Sequence, residues 1–204
     1  MKGYKGQYGK YTVRMSFPTI IHEYVFGNID DKKIIDFCYK QKELNPEGQT
    51  ISNRGGWHSP FYKLSEDNII SRTLTEGVSK SIFTSLKPSL NFYISYWINI
   101  NCPNSYNTSH THPDCHFSGV LWIKVPNNSG VIQFNNPQGH TGYTEIESYL
   151  DEPINQTAFC HKMTIEPQVG KMLTFPSALR HDVSVNNSQE DRISISYNMT
   201  LIRN

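Results

Sequence analysis

Charge is scarce in this chain. Of its 204 residues only 18% are Asp, Glu, Lys or Arg, and they nearly cancel at a formal +1. No block of Lys and Arg stands out that would track a phosphate backbone, so a polyanion-binding surface and a nucleic-acid partner are not expected. Hydrophobic residues are also few, at 37%. No run approaches the roughly 18 apolar residues that a membrane-spanning helix needs, and no membrane partner is expected. The first ten residues hold three lysines with no apolar stretch behind them, unlike a secretory leader, so a cytoplasmic location is the default expectation. Cysteine is sparse too: Cys38, Cys102, Cys115 and Cys160 are widely spaced, with no CxxC pair. That spacing argues against a zinc knuckle or dithiol motif and for reduced thiols. No internal repeat is visible.

Asn, Ser, Thr and Tyr fill the space left by the missing charges and aliphatics, a mix that favours strands and turns. The length suits one domain over 1–204. Within it, 1–90 reads as a mixed, helical support region and 91–204 as a strand-rich core. Asp30 is a plausible N-cap for an amphipathic helix whose Ile34, Ile35, Cys38 and Tyr39 share a face. A second helix opens at Ser65-Glu66-Asp67, carries Ile69, Ile70, Leu74, Val78, Ile82 and Leu86, and stops at Pro88. Between them Ser52 to Pro60 reads as a loop around Gly55-Gly56. Strands are expected at Phe92–Ile100, Ser118–Val125, Val131–Phe134, Ala158–Glu166, Lys171–Phe175, Val183–Val185 and Asp191–Ile202. The turn Pro126-Asn127-Asn128-Ser129-Gly130 suggests that the second and third of these form a hairpin. Gln138 to Pro153 is a loop or lid candidate. Helices followed by regularly spaced strands predict a mainly β, α+β chain built on a sandwich or barrel.

Chemistry concentrates at His110-Thr111-His112-Pro113-Asp114 and at His181, 71 residues on (181 − 110). Residues i and i+2 at a strand end point the same way, so both imidazoles can reach one metal. A distant third ligand from another strand, with coordination positions left open, is the layout of a mononuclear catalytic site, and imidazoles with an open face suit Fe(II). Two ligand sets remain open: His110, His112 and His181, or His112, Asp114 and His181 with a carboxylate as the third ligand. Surface histidines in a polar loop are the plain alternative to both. His116 falls within the loop, and His22, His140 and His161 read as surface groups.

Arg192 follows His181 by 11 residues (192 − 181). In Arg192-Ile193-Ser194-Ile195-Ser196-Tyr197-Asn198 the polar residues share one face. A guanidinium on the inner face of a barrel is costly unless it meets a carboxylate, which it holds bidentately. A dicarboxylic keto acid that chelates a metal at one end and pairs with Arg192 at the other satisfies both groups. The plain alternative is a surface salt bridge to Glu190 or Asp191.

With these residues in view, the chain resembles the Fe(II)/2-oxoglutarate-dependent oxygenases of the prolyl-hydroxylase-like superfamily, and most closely an oxygenase family often found in marine bacteria and phages. The resemblance rests on Ser52-Asn53-Arg54-Gly55-Gly56-Trp57-His58-Ser59, His110-Thr111-His112-Pro113, Phe117-Ser118-Gly119-Val120, Phe175-Pro176-Ser177 before His181, and Arg192 to Asn198. It spans roughly residues 16 to 204. It implies a double-stranded β-helix, or jelly roll, with N-terminal helices packed on one sheet. It implies Fe(II), 2-oxoglutarate as cosubstrate, oxygen, and ascorbate as a candidate reductant, with a hydroxylated peptide side chain or small molecule as product. One departure stands out, because His112 occupies a position where Asp or Glu is usual.

Under that resemblance the triad is catalytic, Arg192 anchors the distal carboxylate, and Ser194, Asn99 or a Tyr of the Phe92 to Tyr96 strand adds a donor. Trp57, His58, Trp122 and Phe134 are candidates for the substrate pocket. Plain core packing competes for Trp122 and Phe134, and a staple between helices and barrel competes for Trp57. A cupin-like metal protein without 2-oxoglutarate chemistry would explain the histidines but not Arg192, and a non-enzymatic binding or viral structural barrel that lost turnover would bind a partner through the Gln138 to Pro153 loop. A viral chain would work in the host cytoplasm, and an open sheet edge would suit a homodimer.

Overall fold

The computed structural model describes residues 17–64, 68–82, 91–138 and 160–202. Two antiparallel sheets face each other. The larger contains β1 (His22–Val25), β3 (Trp57–His58), β5 (Asn91–Asn101), β7 (Phe117–Lys124), β10 (Lys171–Pro176) and β12 (Arg192–Ile202), in the order β1-β10-β7-β12-β5-β3, with β4 (Tyr62–Lys63) also on β5. The smaller runs β2 (Asn53–Arg54), β6 (Tyr106–His110), β11 (His181–Val183), β8 (Ile132–Asn135), β9 (Lys162–Ile165). This is the jelly roll expected from the resemblance, with helices α1 (Asp31–Leu44) and α2 (Ile69–Ser81) packed on the larger sheet.

The helices start where capping chemistry allows. Asp30 caps α1 by accepting from the Lys33 N–H, and Ile34 and Cys38 are its buried face. The cap of α2 is Asn68, which accepts from the Ser71 N–H. That is one residue beyond the predicted Ser65-Glu66-Asp67 opening, which lies outside the described residues together with 83–90. Gly77 of α2 is there for closeness: a Cβ would stand 2.4 Å from the Met172 sulfur.

Alternation along the strands divides the larger sheet into two unlike faces. Ile193, Ile195, Tyr197 and Met199 of β12 meet Ile94, Tyr96, Ile98 and Ile100 of β5 and the helix residues Leu74 and Val78 in one apolar cluster. The intervening residues face the smaller sheet. There Val120, Trp122, Leu173 and Phe175 pack on Ile132, Phe134 and Leu179, and Trp97, Asn99, Asn101, Arg192 and Ser194 occupy the rest.

Two expectations are corrected. The predicted hairpin at Pro126–Gly130 is a crossing between sheets: both edges of β7 are taken, by β10 and β12, so β8 pairs with β11 and β9 instead. Gly130 makes the corner at φ 88°, where a Cβ would meet the Ser184 carbonyl at 2.4 Å. The second correction is Ser52 to Pro60, which is two short strands in different sheets joined at Gly55-Gly56. The first ninety residues therefore supply strands to both sheets as well as helices. The lid candidate Gln138 to Pro153 lies outside the described residues, apart from Gln138 itself.

Candidate metal centre

His110 ends β6 and His181 begins β11, and the two are direct partners across the antiparallel pair. Paired residues project to the same side of a sheet, and their ring centroids lie 4.4 Å apart. His112 stands two residues beyond the strand, where register no longer fixes it. The turn that follows β10 holds it instead: the His112 N–H donates to the Ser177 carbonyl at 3.0 Å, the Ser177 N–H to the His116 carbonyl at 3.1 Å, and the Ser177 hydroxyl to the Cys115 carbonyl at 2.5 Å. Phe175-Pro176-Ser177 thus fastens the loop that bears His112 while leading the chain to His181.

One nitrogen each from His110, His112 and His181 lies within 4.8 Å of the others. Nδ1 of His110 donates to the Thr108 carbonyl at 2.7 Å, and Nδ1 of His181 to the Leu179 carbonyl at 2.8 Å. A carbonyl oxygen can only accept, so both Nδ1 atoms carry the hydrogen and both Nε2 lone pairs are free for a metal. Nε2 of His112 is 3.4 Å from Nε2 of His181, a separation two ligands of one ion adopt at metal–nitrogen distances of about 2.1 Å. Burial lowers the pKa of all three. His112 is pushed down to about 3, with His181 and His110 adding to the effect, and His181 to about 4. The rings are neutral at pH 7, the form that binds a metal. Asp114 is exposed, has φ 67°, and is absent from the converging group.

The histidines stand in a cavity of about 270 Å³ between the sheets, which Arg192 also lines. Arg192 is 2% exposed. Its Nη1 donates to the Ser129 and Gly130 carbonyls at 3.0 and 3.4 Å, and its Nε is buried without a partner. Burial lowers its pKa to about 10, so it remains a cation. Neither acidic neighbour in sequence answers it: Glu190 pairs with Lys124 at 3.0 Å, and Asp191 accepts from the Tyr39 hydroxyl. No Asp or Glu is among the described residues lining the cavity. A buried cation with an open donor and no carboxylate needs an anion from outside.

Cross-strand register sets the rest of the wall. Asn101 pairs with Arg192, Asn99 with Ser194, and Trp97 with Ser196. Asn99 donates to Ser196 Oγ at 3.0 Å, and Asn99, Ser194 and Trp122 all line the cavity. The strand pair Trp57↔Ile100, His58↔Asn99 separates two neighbours in sequence. His58 faces the cavity with Asn99. Trp57 faces the helices, where its indole donates to the Asn45 carbonyl at the end of α1. Trp57 is therefore the staple and not a pocket residue. Phe134 also lies outside the lining and packs edge-on against Phe175, with His181 beside it. Tyr96 belongs to the helix side, where its hydroxyl accepts from Asn68, and Tyr93 is exposed, so no tyrosine of β5 reaches the cavity. His116 is engaged elsewhere, its Nδ1 accepting from the Leu201 N–H. Trp97 and Phe61 were not foreseen as lining residues. The signal for Trp97 was its parity with Asn99; nothing in the sequence marked Phe61.

The donor set fits a divalent metal and a dicarboxylate together: three neutral imidazoles converge on the cavity, and a guanidinium with no carboxylate partner among the described residues lies in the same space.

The profile of the family described as "Putative 2OG-Fe(II) oxygenase" matches residues 95–198, half of the chain. No curated protein matches. Among solved structures, a prolyl-4-hydroxylase from Pseudomonas putida is similar over 89% of this chain and 92% of its own, with TM-score 0.59 and 12% identity. A prolyl hydroxylase from Trichoplax adhaerens, solved with a hypoxia-inducible-factor oxygen-degradation-domain peptide, matches over 90% and 83%, with TM-score 0.60 and 10% identity. HygX from Streptomyces hygroscopicus, solved with nickel and 2-oxoglutarate bound, matches over 90% and 83%, with TM-score 0.57 and 11% identity. At these identities the likeness is one of fold.

Proposed function

The chain belongs to the 2OG-Fe(II) oxygenase family, and from that premise we propose that it hydroxylates a small molecule or a peptide side chain, with His110, His112 and His181 holding Fe(II) and Arg192 holding the far carboxylate of 2-oxoglutarate. The observation that carries this reading is the pairing of three converging imidazoles with a buried, unanswered guanidinium in one cavity. A cupin-like metal protein has no use for that cation, and a purely structural barrel has no reason to desolvate it.

Fe(II) and 2-oxoglutarate together supply the oxidising chemistry, in which oxygen and the keto acid become succinate and carbon dioxide as the substrate is hydroxylated. The chain's own groups prepare the site. The carbonyls of Thr108 and Leu179 fix the His110 and His181 rings through Nδ1, so neither ring need rotate when metal arrives. Arg192, held by the Ser129 carbonyl behind it, would offer its remaining donors to a carboxylate in the cavity it lines. Asn99 and Ser194, two register pairs along on the same face, also line the cavity and can donate to the same ligand. Val120, Trp122 and Phe175 give the cavity an apolar side that limits water. His112 in place of a carboxylate leaves the metal with neutral protein ligands only.

Anaerobic titration of the Fe(II)-loaded protein with 2-oxoglutarate tests this reading through the visible charge-transfer band of a chelated keto acid. The band should saturate, need far more 2-oxoglutarate in Arg192→Ala, and be absent from His181→Ala. Bound iron without a band would overturn the 2-oxoglutarate assignment, and equal loss of iron in both variants would overturn the division of roles.

A further inference from the structure

One wall of the cavity is aromatic from its mouth to the metal centre. Phe61, 51% exposed, meets Trp97 edge-on at 5.2 Å and His58 edge-on at 5.7 Å. His58 and Trp97 lie nearly parallel, 14° apart at 5.6 Å. Trp97 continues to His112 at 5.6 Å. All three line the cavity, and Ile51, also half exposed, adds to the apolar rim.

His58 brings one polar atom to this wall. Its Nδ1 lies 2.6 Å from the Ser59 carbonyl, so Nδ1 carries the hydrogen and Nε2 is left as an acceptor. His58 as a residue is 2% exposed, and its one side-chain hydrogen bond among the described residues is the one at Nδ1. Nε2 is not sealed in the fold but open to the cavity that His58 lines, so the cavity is the place from which a donor can come.

Charge narrows what that donor belongs to. A cation would shed its hydration in a cavity whose described lining has no carboxylate. It would also face a positive balance, because the two charges of Fe(II) and the one of Arg192 exceed by one the two negative charges of 2-oxoglutarate. An anion fares poorly against the wall itself, since aromatic faces and the Nε2 lone pair both present negative charge.

We propose that His58, Trp97 and Phe61 are the substrate-recognition wall of this site, and that it selects an uncharged ring carrying an N–H or O–H donor, accepted by His58 Nε2. The proposal rests on the oxygenase reading above. His58 is a specificity-determining residue in it, and the ring, seated on Trp97, turns its edge toward the metal beside His112.

Fluorine NMR of the protein loaded with Zn(II) and 2-oxoglutarate tests this with four probes of one shape: 4-fluorophenol, 4-fluorotoluene, 4-fluorobenzylammonium and 4-fluorobenzoate. The phenol should bind tightest, about five- to tenfold tighter than the toluene, as one hydrogen bond provides, and both ions should bind more weakly still. His58→Phe keeps the stacked ring and removes the acceptor, so it should bind phenol and toluene equally. Phe61→Ala, at a half-exposed position outside both apolar cores, should weaken both neutral probes alike. A phenol preference that survives His58→Phe, either ion binding as tightly as phenol, or neutral probes indifferent to Phe61→Ala would each overturn the proposal. The charge-transfer band of the Fe(II) and 2-oxoglutarate complex, recorded on the same variants, keeps the two readings apart. A normal band with failed probe selectivity refutes the wall alone, and a missing wild-type band refutes the oxygenase reading beneath it.

Discussion

The two faces of the larger sheet are made from the same strands and do opposite things. On the helix side, Ile98 and Ile100 of β5 and Ile193 and Ile195 of β12 close against Ile34, Leu74 and Val78. On the other side, one residue out of phase, stand Asn99, Asn101, Arg192 and Ser194, all buried. The first face removes apolar area from water and is non-directional. The second gives up that gain for hydrogen-bonding groups, two of which, Arg192 Nε and Asn101 Oδ1, have no partner among the described residues. The difference separates stability from function by residue parity, so the two should respond differently to substitution.

The largest effect belongs to the inner face. His181→Ala removes the proposed ligand that pairs with His110 across neighbouring strands of the smaller sheet, and the expected outcome is loss of iron binding and of turnover with a melting temperature close to that of the metal-free parent. A large fall in stability of the metal-free protein would show that the ring is a packing element and would blur the contrast. On the helix side Leu74→Ala leaves a cavity under α2, and it should cost about 2–5 kcal/mol in chemical denaturation. The folded fraction should keep its full 2-oxoglutarate band; a band lost in proportion beyond unfolding would mean that the helices tune the site through β5 and β12.

Parity was also what made the site legible. The alternation of Arg192 to Asn198 could be read from sequence because each strand must send every second residue to one face, and the same rule separates His58 from Trp57 once β3 is known to pair with β5. That pairing was not legible. A two-residue strand carries no periodicity, and Gly55-Gly56 reads as a loop although it joins the sheets. The Pro126–Gly130 corner misled for a related reason: turn residues announce a reversal, but whether the next strand pairs with the last depends on which edge is free, a property of the whole sheet. Phe61 escaped because its role comes from Trp97 and His58 beside it.

Arg192 sharpens the contrast from within one residue. A buried cation with no carboxylate partner among the described residues weakens the ligand-free fold, since desolvation is only partly answered by two carbonyls. Arg192→Met keeps the bulk and removes the charge. It should leave the ligand-free protein as stable as the parent or slightly more so, and lower 2-oxoglutarate affinity about ten- to a hundredfold, as loss of charge-assisted hydrogen bonds predicts. Calorimetric melting with and without 2-oxoglutarate reads both. A destabilised Arg192→Met with unchanged affinity would make the guanidinium structural after all.

The smallest effect is a pH dependence confined to the inner face. His112 and His181 start from an ordinary value of 6.5 in the unfolded chain and are held down to about 3 and about 4 in the fold, chiefly by burial. Between those values and 6.5 the unfolded chain binds more protons than the native one, so stability of the metal-free protein falls as pH falls. The contribution is intact above about pH 6.5 and is lost progressively toward pH 4 and 3. Over the upper part of that window the folded His112 and His181 rings stay neutral, so between pH 8 and about 5 these two rings should contribute little change to the metal affinity of the folded protein while its stability declines. Denaturant titrations of the metal-free protein at a series of pH values, set beside metal binding at the same values, separate the two curves. His181→Ala should flatten the stability curve, whereas Leu74→Ala should shift it down without changing its shape; a helix-side variant that altered the shape would mean the two faces do not act independently.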